Sequence, residues 1–463
     1  MKKSVYFYLL LFSSGMLSSC KKEDAFLDVK PNISLVVPSN LDDYQKLLYN
    51  EGVFNTAVDP AMGSITSEEY YVTPAFWAGR PILDRNLYVF GSGYVYESWP
   101  LFTDWELPYK QVYYANIVLD RIDKLEITND YQTQYKTVKG QALFFRARAF
   151  YNLVQTFAMP FDSTNFSTGL GIPLRLTSDF NVVIQRSTIQ QTYDRILADL
   201  TAAVEFLPVS TAYPTQPSRT AANALLARIY LAMRNYVKAL QYSDATLSFK
   251  SDLIDYNALS PTNTNLSTTY LKEDIFQASL LSGIFTFSGS TTVDTNLLKL
   301  YDDPNDLRRT VCYRTNGSNV EFRGTYGLGT GSKYSGLATD EMYLIRAECL
   351  ARQGNVSGAM TDVNTLLRTR WKKNGTFSTY VDKTAPSAAV ALNLILKERR
   401  KELPFRGLRW TDIRRLNLEP GFQTTLARVL NGVTYILPPG DPRFAMPIPL
   451  TEIQLSGIQQ NDR

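Results

Sequence analysis

Leu225-Leu226-Ala227-Arg228-Ile229-Tyr230, with Asn235-Tyr236-Val237-Lys238-Ala239 close behind, reads as helix, break, helix. A second stretch repeats the arrangement, with Ala347, Leu350 and Ala359 placed around Arg352-Gln353-Gly354-Asn355. The small residues keep one spacing in both, so that two antiparallel helices can approach closely in each pair. The periodicity predicts helices over 220–233 and 236–248 in the first pair, and over 340–353 and 357–371 in the second. A mainly α fold follows, with helical hairpins packed side by side.

The surrounding chain agrees. Residues 105–125 alternate apolar and polar groups at helical spacing, and 137–157 place Val138, Ala142, Phe145, Ala149 and Leu153 on one stripe. Pro160 stops that helix. Further helices are predicted over 188–206 and 388–403. The paired hairpins resemble the tetratricopeptide pattern, although two weak copies do not make a solenoid. Residues 50–104 and 250–335 differ: rich in Gly, Ser, Thr, Asn and Tyr, they read as long loops with short strands. Loops of that length in a compact domain are usually functional or disordered, and the aromatic content of these favours the first.

At 463 residues, 44% of them hydrophobic and 20% charged, the chain has ordinary globular composition and can bury a sizeable core. Its 48 basic and 44 acidic residues leave +4, too even a balance for binding nucleic acid through counterion release. There is no His. That excludes Ser-His-Asp and Cys-His triads, His-ligated metals and imidazole acid–base chemistry, while carboxylate chemistry stays open.

Lys2 and Lys3 precede an apolar run over 5–12, shorter than the ~20 residues of a membrane-crossing helix. The run leads to Leu17-Ser18-Ser19-Cys20, which resembles a bacterial lipobox. Residues 1–19 are thus expected to be a lipoprotein signal peptide, and Cys20 the lipidated residue. The charged Lys21-Lys22-Glu23-Asp24 opens a tether over 20–30 and resembles a surface-export signal. Two or more acyl chains on Cys20 would hold the protein on a membrane stably. Cys312 and Cys349 form no disulfide framework, and Cys349, within a helical pattern, is expected to be a small buried hydrophobe.

With these motifs placed, the chain resembles the SusD/RagB family along nearly its whole length. Trp105, Tyr109 and Asn116 fit an early helix motif; Gln141-Ala142, Arg146-Ala147, Tyr151 and Leu153 fit a long second one, followed by Gly171-Ile172-Pro173. Arg186-Ser187-Thr188, Tyr193, Ile196, Asp199-Leu200 and Leu207-Pro208 fit the next, and Arg219-Thr220-Ala221-Ala222 begins the first hairpin. Later matches are Met342-Tyr343-Leu344-Ile345-Arg346-Ala347-Glu348, Asp362-Val363-Asn364, Glu398-Arg399-Arg400-Lys401-Glu402-Leu403 and Arg409-Trp410-Thr411-Asp412-Ile413-Arg414-Arg415. Pro447-Ile448-Pro449, Glu452-Ile453 and Gln460-Asn461 complete the series. Gln141 stands where the family often has Glu, and Asp306-Leu307-Arg308-Arg309 replaces a more usual Asp-Pro-Arg-Arg.

The resemblance implies a SusD-like α-helical scaffold with a loop-rich ligand-binding face. Residues 31–250 and 251–463 are expected to form the N-terminal and C-terminal regions of one globular unit. It also implies an outer-membrane, surface-exposed lipoprotein that binds oligosaccharide without being an enzyme, requires no cofactor, and serves a SusC-like TonB-dependent transporter. A peptide or other non-glycan ligand, or a purely protein-binding hairpin scaffold, are the alternatives.

Several clusters invite chemical readings. The charged run 397–415 suggests a binding patch, but the family places it in the scaffold, so a structural ion-pair network is expected, with Glu402 able to pair with Arg406 and Arg409 to stack on Trp410. Asp302-Asp303-Pro304-Asn305-Asp306 offers oxygen ligands without EF-hand spacing and reads as a turn or cap. Gly327-Leu328-Gly329-Thr330-Gly331-Ser332-Lys333 fails as a phosphate loop because Ser332 precedes the Lys, and reads as a flexible loop. Glu68 and Glu69 are adjacent and need not converge across a cleft as a glycosidase pair must.

Aromatic residues form the strongest candidate site. Tyr70, Tyr71, Phe76, Trp77, Tyr94, Tyr96 and Trp99 crowd one stretch together with Glu69, Arg80 and Asn86. Flat rings cover the apolar faces of sugars while charged and amide groups bond the hydroxyls. Trp77 and Trp99 are expected to be exposed, with Tyr326 joining from the second zone, and the remaining rings divide between ligand contact and packing.

Overall fold

Asparagine caps start the second helix of each hairpin in the same way. Asn235 accepts a hydrogen bond from the Lys238 amide at 3.1 Å, and Asn355 accepts one from the Gly358 amide at 2.9 Å. The residue before each cap, Arg234 or Gly354, turns the chain with a positive φ of 60° or 83°. The computed structural model describes residues 38–91, 104–262, 266–286, 289–328 and 332–463. Its longer helices are α1 (Leu41–Leu48), α2 (Glu106–Leu119), α3 (Gln132–Phe157), α4 (Ile189–Phe206) and α5 (Arg219–Ala232), then α6 (Tyr236–Phe249), α7 (Thr339–Arg352), α8 (Val356–Arg368), α9 (Ala388–Glu402) and α10 (Leu408–Leu416). The fold is mainly α, as the periodicity predicts.

Ala227, Ala239, Ala347 and Ala359 are fully buried where the paired helices meet. In the first hairpin the rings of Tyr230 and Tyr242 stack at 5.5 Å. The second hairpin closes a smaller core against α9, built on Met360, Leu367, Trp371 and Ile395. Cys349 is buried and free, as is Cys312.

The centre of the main core is α3. From Val138 onward its predicted stripe is buried, but so are Phe144, Ala147, Phe150 and Val154 on other faces. A helix buried on every face belongs inside a fold, and α1, α2 and α4 pack around this one. Arg146 ties three of these helices together: its guanidinium donates two 2.8 Å bonds to Asp199 of α4 and one of 2.9 Å to Asn116 of α2. Thr188 and Gln191 form a capping box at the start of α4.

The charged run 397–415 is a buried ion-pair network. Arg308 bonds Asp306 at 2.7 Å, Glu398 at 2.6 Å and Glu402 at 2.9 Å; Arg370 bonds Glu402 at 2.7 Å and Glu273 at 2.8 Å. Arg415 holds Glu348 at 2.7 Å, and Arg399 holds Asp412 at 2.8 Å. Two details depart from expectation. Arg406 pairs with Asp340 at 2.7 Å, not with Glu402, because α9 ends at Glu402 and Phe405 and Gly407 both take positive φ, turning Arg406 off the helix face. Arg409 binds Glu68 instead of stacking on Trp410, whose ring meets Phe444 at 5.0 Å, since successive residues on a helix point about 100° apart.

Asp303 caps its own turn by accepting from the Asn305 amide at 2.8 Å, while Asp306 is spent on the network. Among the described residues no three metal-ligating side chains converge. The first loop zone is more helical than expected. Met62–Thr66, Pro74–Ala78 and Ile82–Tyr88 are helices of one or two turns, too short for a 3.6-residue period to register.

Candidate functional site

The predicted aromatic stretch runs through a short strand, β1 (Tyr70–Val72), which pairs antiparallel with β2 (Thr291–Val293) from the second loop zone. Strand alternation sends Tyr70 and Val72 inward and leaves Tyr71 43% exposed. Thr73 then caps the helix Pro74–Ala78, accepting from the Phe76 amide at 3.3 Å. Trp77 is half-buried: its indole Nε1 donates to the Arg85 carbonyl at 3.0 Å, and the Arg85 guanidinium lies 5.8 Å from its ring. Arg80 sits 5.3 Å from the Phe76 ring and 3.9 Å from Asp84. Burial pushes the Asp84 carboxyl up to about 6 against the pull of Arg80.

Two predicted ligand residues are core residues. Tyr70 is 2% exposed, donates its hydroxyl to the Ile65 carbonyl at 2.8 Å and faces Arg428. Tyr326, expected at the surface, is 1% exposed; its hydroxyl donates to Glu273 at 2.5 Å beneath the Arg406 guanidinium. The buried carboxylates of Glu273 and Asp340 draw that hydroxyl inward, because a buried acceptor needs a donor, while the Arg406 guanidinium covers the ring.

Tyr94, Tyr96, Trp99 and Cys20 lie outside the described residues. The chain on either side of 92–103 is anchored. Arg443 donates to the Phe90 carbonyl at 2.8 Å, and Arg463 to the Gly91 carbonyl at 2.7 Å. Asp104 accepts from the amides of Ala61 at 2.5 Å and Met62 at 2.8 Å.

β1 is locked from behind by Arg428, on the strand β5 (Leu426–Leu430). Its guanidinium lies 3.9 Å from the Tyr88 ring and donates to the carbonyls of Tyr70 at 2.8 Å, Ser67 at 2.5 Å and Ile65 at 3.3 Å. Glu68 and Glu69 diverge. Glu68 faces Arg409 and Arg400, while Glu69 accepts from the Phe405 amide at 2.8 Å and is pushed up to about 7 by burial.

On the far side of β2 stands a hairpin, β3 (Tyr313–Asn316) and β4 (Asn319–Phe322), joined to β2 by the Thr292 hydroxyl, which accepts from the Val320 amide at 3.0 Å. Between them lies a cavity of about 130 Å³ lined by Tyr70, Phe285, Arg314, Glu321, Phe322 and Lys333, among others. Lys333 is 9% exposed and donates one hydrogen bond, to the Phe322 carbonyl at 3.1 Å. The rings of Phe322 and Phe405 stand 5.4 and 5.7 Å from its amine, which burial brings down to about 8. The sequence reading missed this cavity. Asn316-Gly317 between alternating residues is a hairpin signal, and its register opposes Arg314 to Glu321. Nothing local announces that Lys333 arrives beside them.

Comparison with known proteins gives one answer at three levels. A SusD-like profile described as starch-binding and associating with the outer membrane matches residues 25–231, and a SusD family profile matches 323–462. SusD-like protein P2 of Formosa agariphila is 25% identical over 358 residues, spanning 64% of this chain and 68% of its own. A SusD superfamily protein of Bacteroides thetaiotaomicron superposes with a TM-score of 0.71 at 21% identity, covering 92% of this chain and 100% of its own. A SusD-like carbohydrate binding protein of Bacteroides vulgatus gives 0.67 at 19% identity, with 90% and 97% covered. At these identities the solved structures speak for the fold.

Proposed function

Since this chain belongs to the SusD/RagB family, we propose that it is a surface-exposed nutrient-binding lipoprotein that captures an oligosaccharide for a SusC-like TonB-dependent transporter. The observation that carries the reading is Tyr71, an exposed ring on a strand whose neighbours are held rigidly by Arg428 and the β2 ladder. Half-buried Phe76 and Trp77 follow it within one turn of helix, with Arg80 at their rim. Rings already fixed in place lose little entropy on binding a sugar face. Anchoring through Cys20 would keep captured ligand at a high effective concentration beside the pore. Binding without turnover fits the carboxylates: Glu68 is paired with Arg409 and Glu69 accepts from the Phe405 amide.

Calorimetry against a panel of neutral and acidic oligosaccharides tests the reading. Tyr71→Ala is expected to weaken binding about tenfold with unchanged melting, the usual worth of one ring on an apolar face. Trp77→Ala should weaken it similarly and lose about 1 kcal/mol of stability with its indole hydrogen bond. Trp99→Ala is expected to act on binding alone. Affinity indifferent to all three changes would remove the aromatic face from the site. Cys20→Ala should move the protein from the membrane to the soluble fraction, and the acylated form should co-purify with a barrel transporter from detergent-solubilised membranes. A variant that stays membrane-bound would defeat the anchor.

A further inference from the structure

We propose that the cavity at Lys333 receives an anionic substituent, a carboxylate or sulfate ester, of the captured glycan, so that acidic oligosaccharides are the preferred ligand class. This rests on the glycan-binding reading above and adds the charge of the substrate. An ammonium carries three N–H donors, and the Lys333 amine uses one, on the Phe322 carbonyl. No carboxylate among the described residues lies within 4.0 Å of it. Glu321, the acid in the cavity wall, is already satisfied: it accepts from Arg314 at 2.8 and 3.0 Å, from Asn316 at 2.9 Å and from the Gly289 amide at 2.5 Å. The neighbouring hydroxyls are committed as well. Thr325 donates to the Ser332 carbonyl, and Thr286 to the Gly283 carbonyl.

A buried cation with spare donors is costly unless something anionic completes it. With Arg314 and Glu321 balancing one another, the cavity keeps a net positive sign from Lys333 and from Arg323, whose guanidinium donates to the backbone carbonyls of Val311 and Thr310. At pH 7 the amine, at about 8, is still largely protonated. Size agrees. A cavity of about 130 Å³ compares with the roughly 150 Å³ that accommodates benzene, so it fits one substituent or ring end and not a chain. Position agrees too. Thr292 lines the cavity and pairs directly with Tyr71, and Arg314 in the cavity wall has a side chain 39% exposed, so the cavity adjoins the strand that carries the exposed ring and is open to solvent at the Arg314 side chain.

The test is a glycan array of neutral, uronate-containing and sulfated oligosaccharides probed with the full mature chain, followed by calorimetry on the hits. The expected result is that hits carry carboxylate or sulfate, and that Lys333→Met weakens them at least tenfold. Lys333→Arg should retain most of the affinity, and Lys333→Gln, which keeps a polar but uncharged side chain, should lose it while melting like the wild type. Neutral hits unaffected by Lys333→Met would overturn the proposal and leave the glycan-binding reading standing. Acidic hits that survive the change overturn it as well. An array without hits sinks both readings. Inorganic sulfate is titrated separately: Lys333-dependent binding of sulfate without any acidic glycan would assign the cavity to a free anion and refute the substituent claim.

Discussion

Arg308→Met is expected to cost about 3–5 kcal/mol, the penalty for removing one partner from a buried ion-pair network. Arg308 is 1% exposed and supplies hydrogen bonds to Asp306, Glu398 and Glu402 at once. Its loss leaves Glu398 with Lys401 at 3.4 Å and Glu402 with Arg370, neither of which reaches all the vacated oxygens. Arg308→Lys should recover little, because three carboxylates are served by a planar fork that an ammonium cannot imitate. Urea unfolding reads the difference, and a loss below about 1 kcal/mol would mean that the pairs merely offset their own desolvation. The network also sets an acid limit. Burial works to raise the Asp306 carboxyl, but Arg308 and Lys401 outweigh it and hold it at about 2. A folded value below the unfolded one means the stabilisation is complete above about pH 4 and is lost as pH falls toward 2. Glu348 and Asp412, held low by Arg415 and Arg399, add to the same loss. Melting temperature is thus expected to drop steeply from pH 4 to pH 2 in the wild type, and less steeply in Arg308→Met.

Arg428→Met should cost about 3 kcal/mol and disable the aromatic face. The carbonyls of Ile65, Ser67 and Tyr70 lose a donor in a buried setting; that of Ile65 keeps the Tyr70 hydroxyl, and each group left unsatisfied costs roughly 1–3 kcal/mol before relaxation. The guanidinium also fills the space against the Tyr88 ring at 3.9 Å. Without it the segment is held only by its pairing with β2 and by the bonds of Glu68 to Arg409 and Glu69 to the Phe405 amide, and ligand affinity should fall further than for Tyr71→Ala. Hydrogen exchange localises the effect: amides of 65–72 should lose protection while those of α3 keep theirs. Uniform loss of protection would instead place Arg428 among the general core residues.

Sequence periodicity carried the scaffold. Each hairpin helix ends within about a turn of its expected position, since spacing, capping asparagines and stop signals act over a few residues and are written in the order of the chain. The ion-pair character of 397–415 was legible from its composition, and so was the aromatic richness of the first loop zone. The partners were not. Arg406 turns away from Glu402 because of two left-handed residues that adjacent charges do not reveal. Tyr70 and Tyr71 are neighbours of one type, yet strand alternation against β2, more than two hundred residues on, buries one and exposes the other. Tyr326 went inward for the sake of Glu273 and Asp340. Lys333 acquired its cavity because the hairpin carrying Arg314 and Glu321 folds over it, and Phe405 arrives from a distant helix end. Local order specifies which segments become helices, because helical hydrogen bonds join residues four apart. Which side chain meets the ligand depends on contacts between segments far apart in the chain, and only closure of the core brings those together.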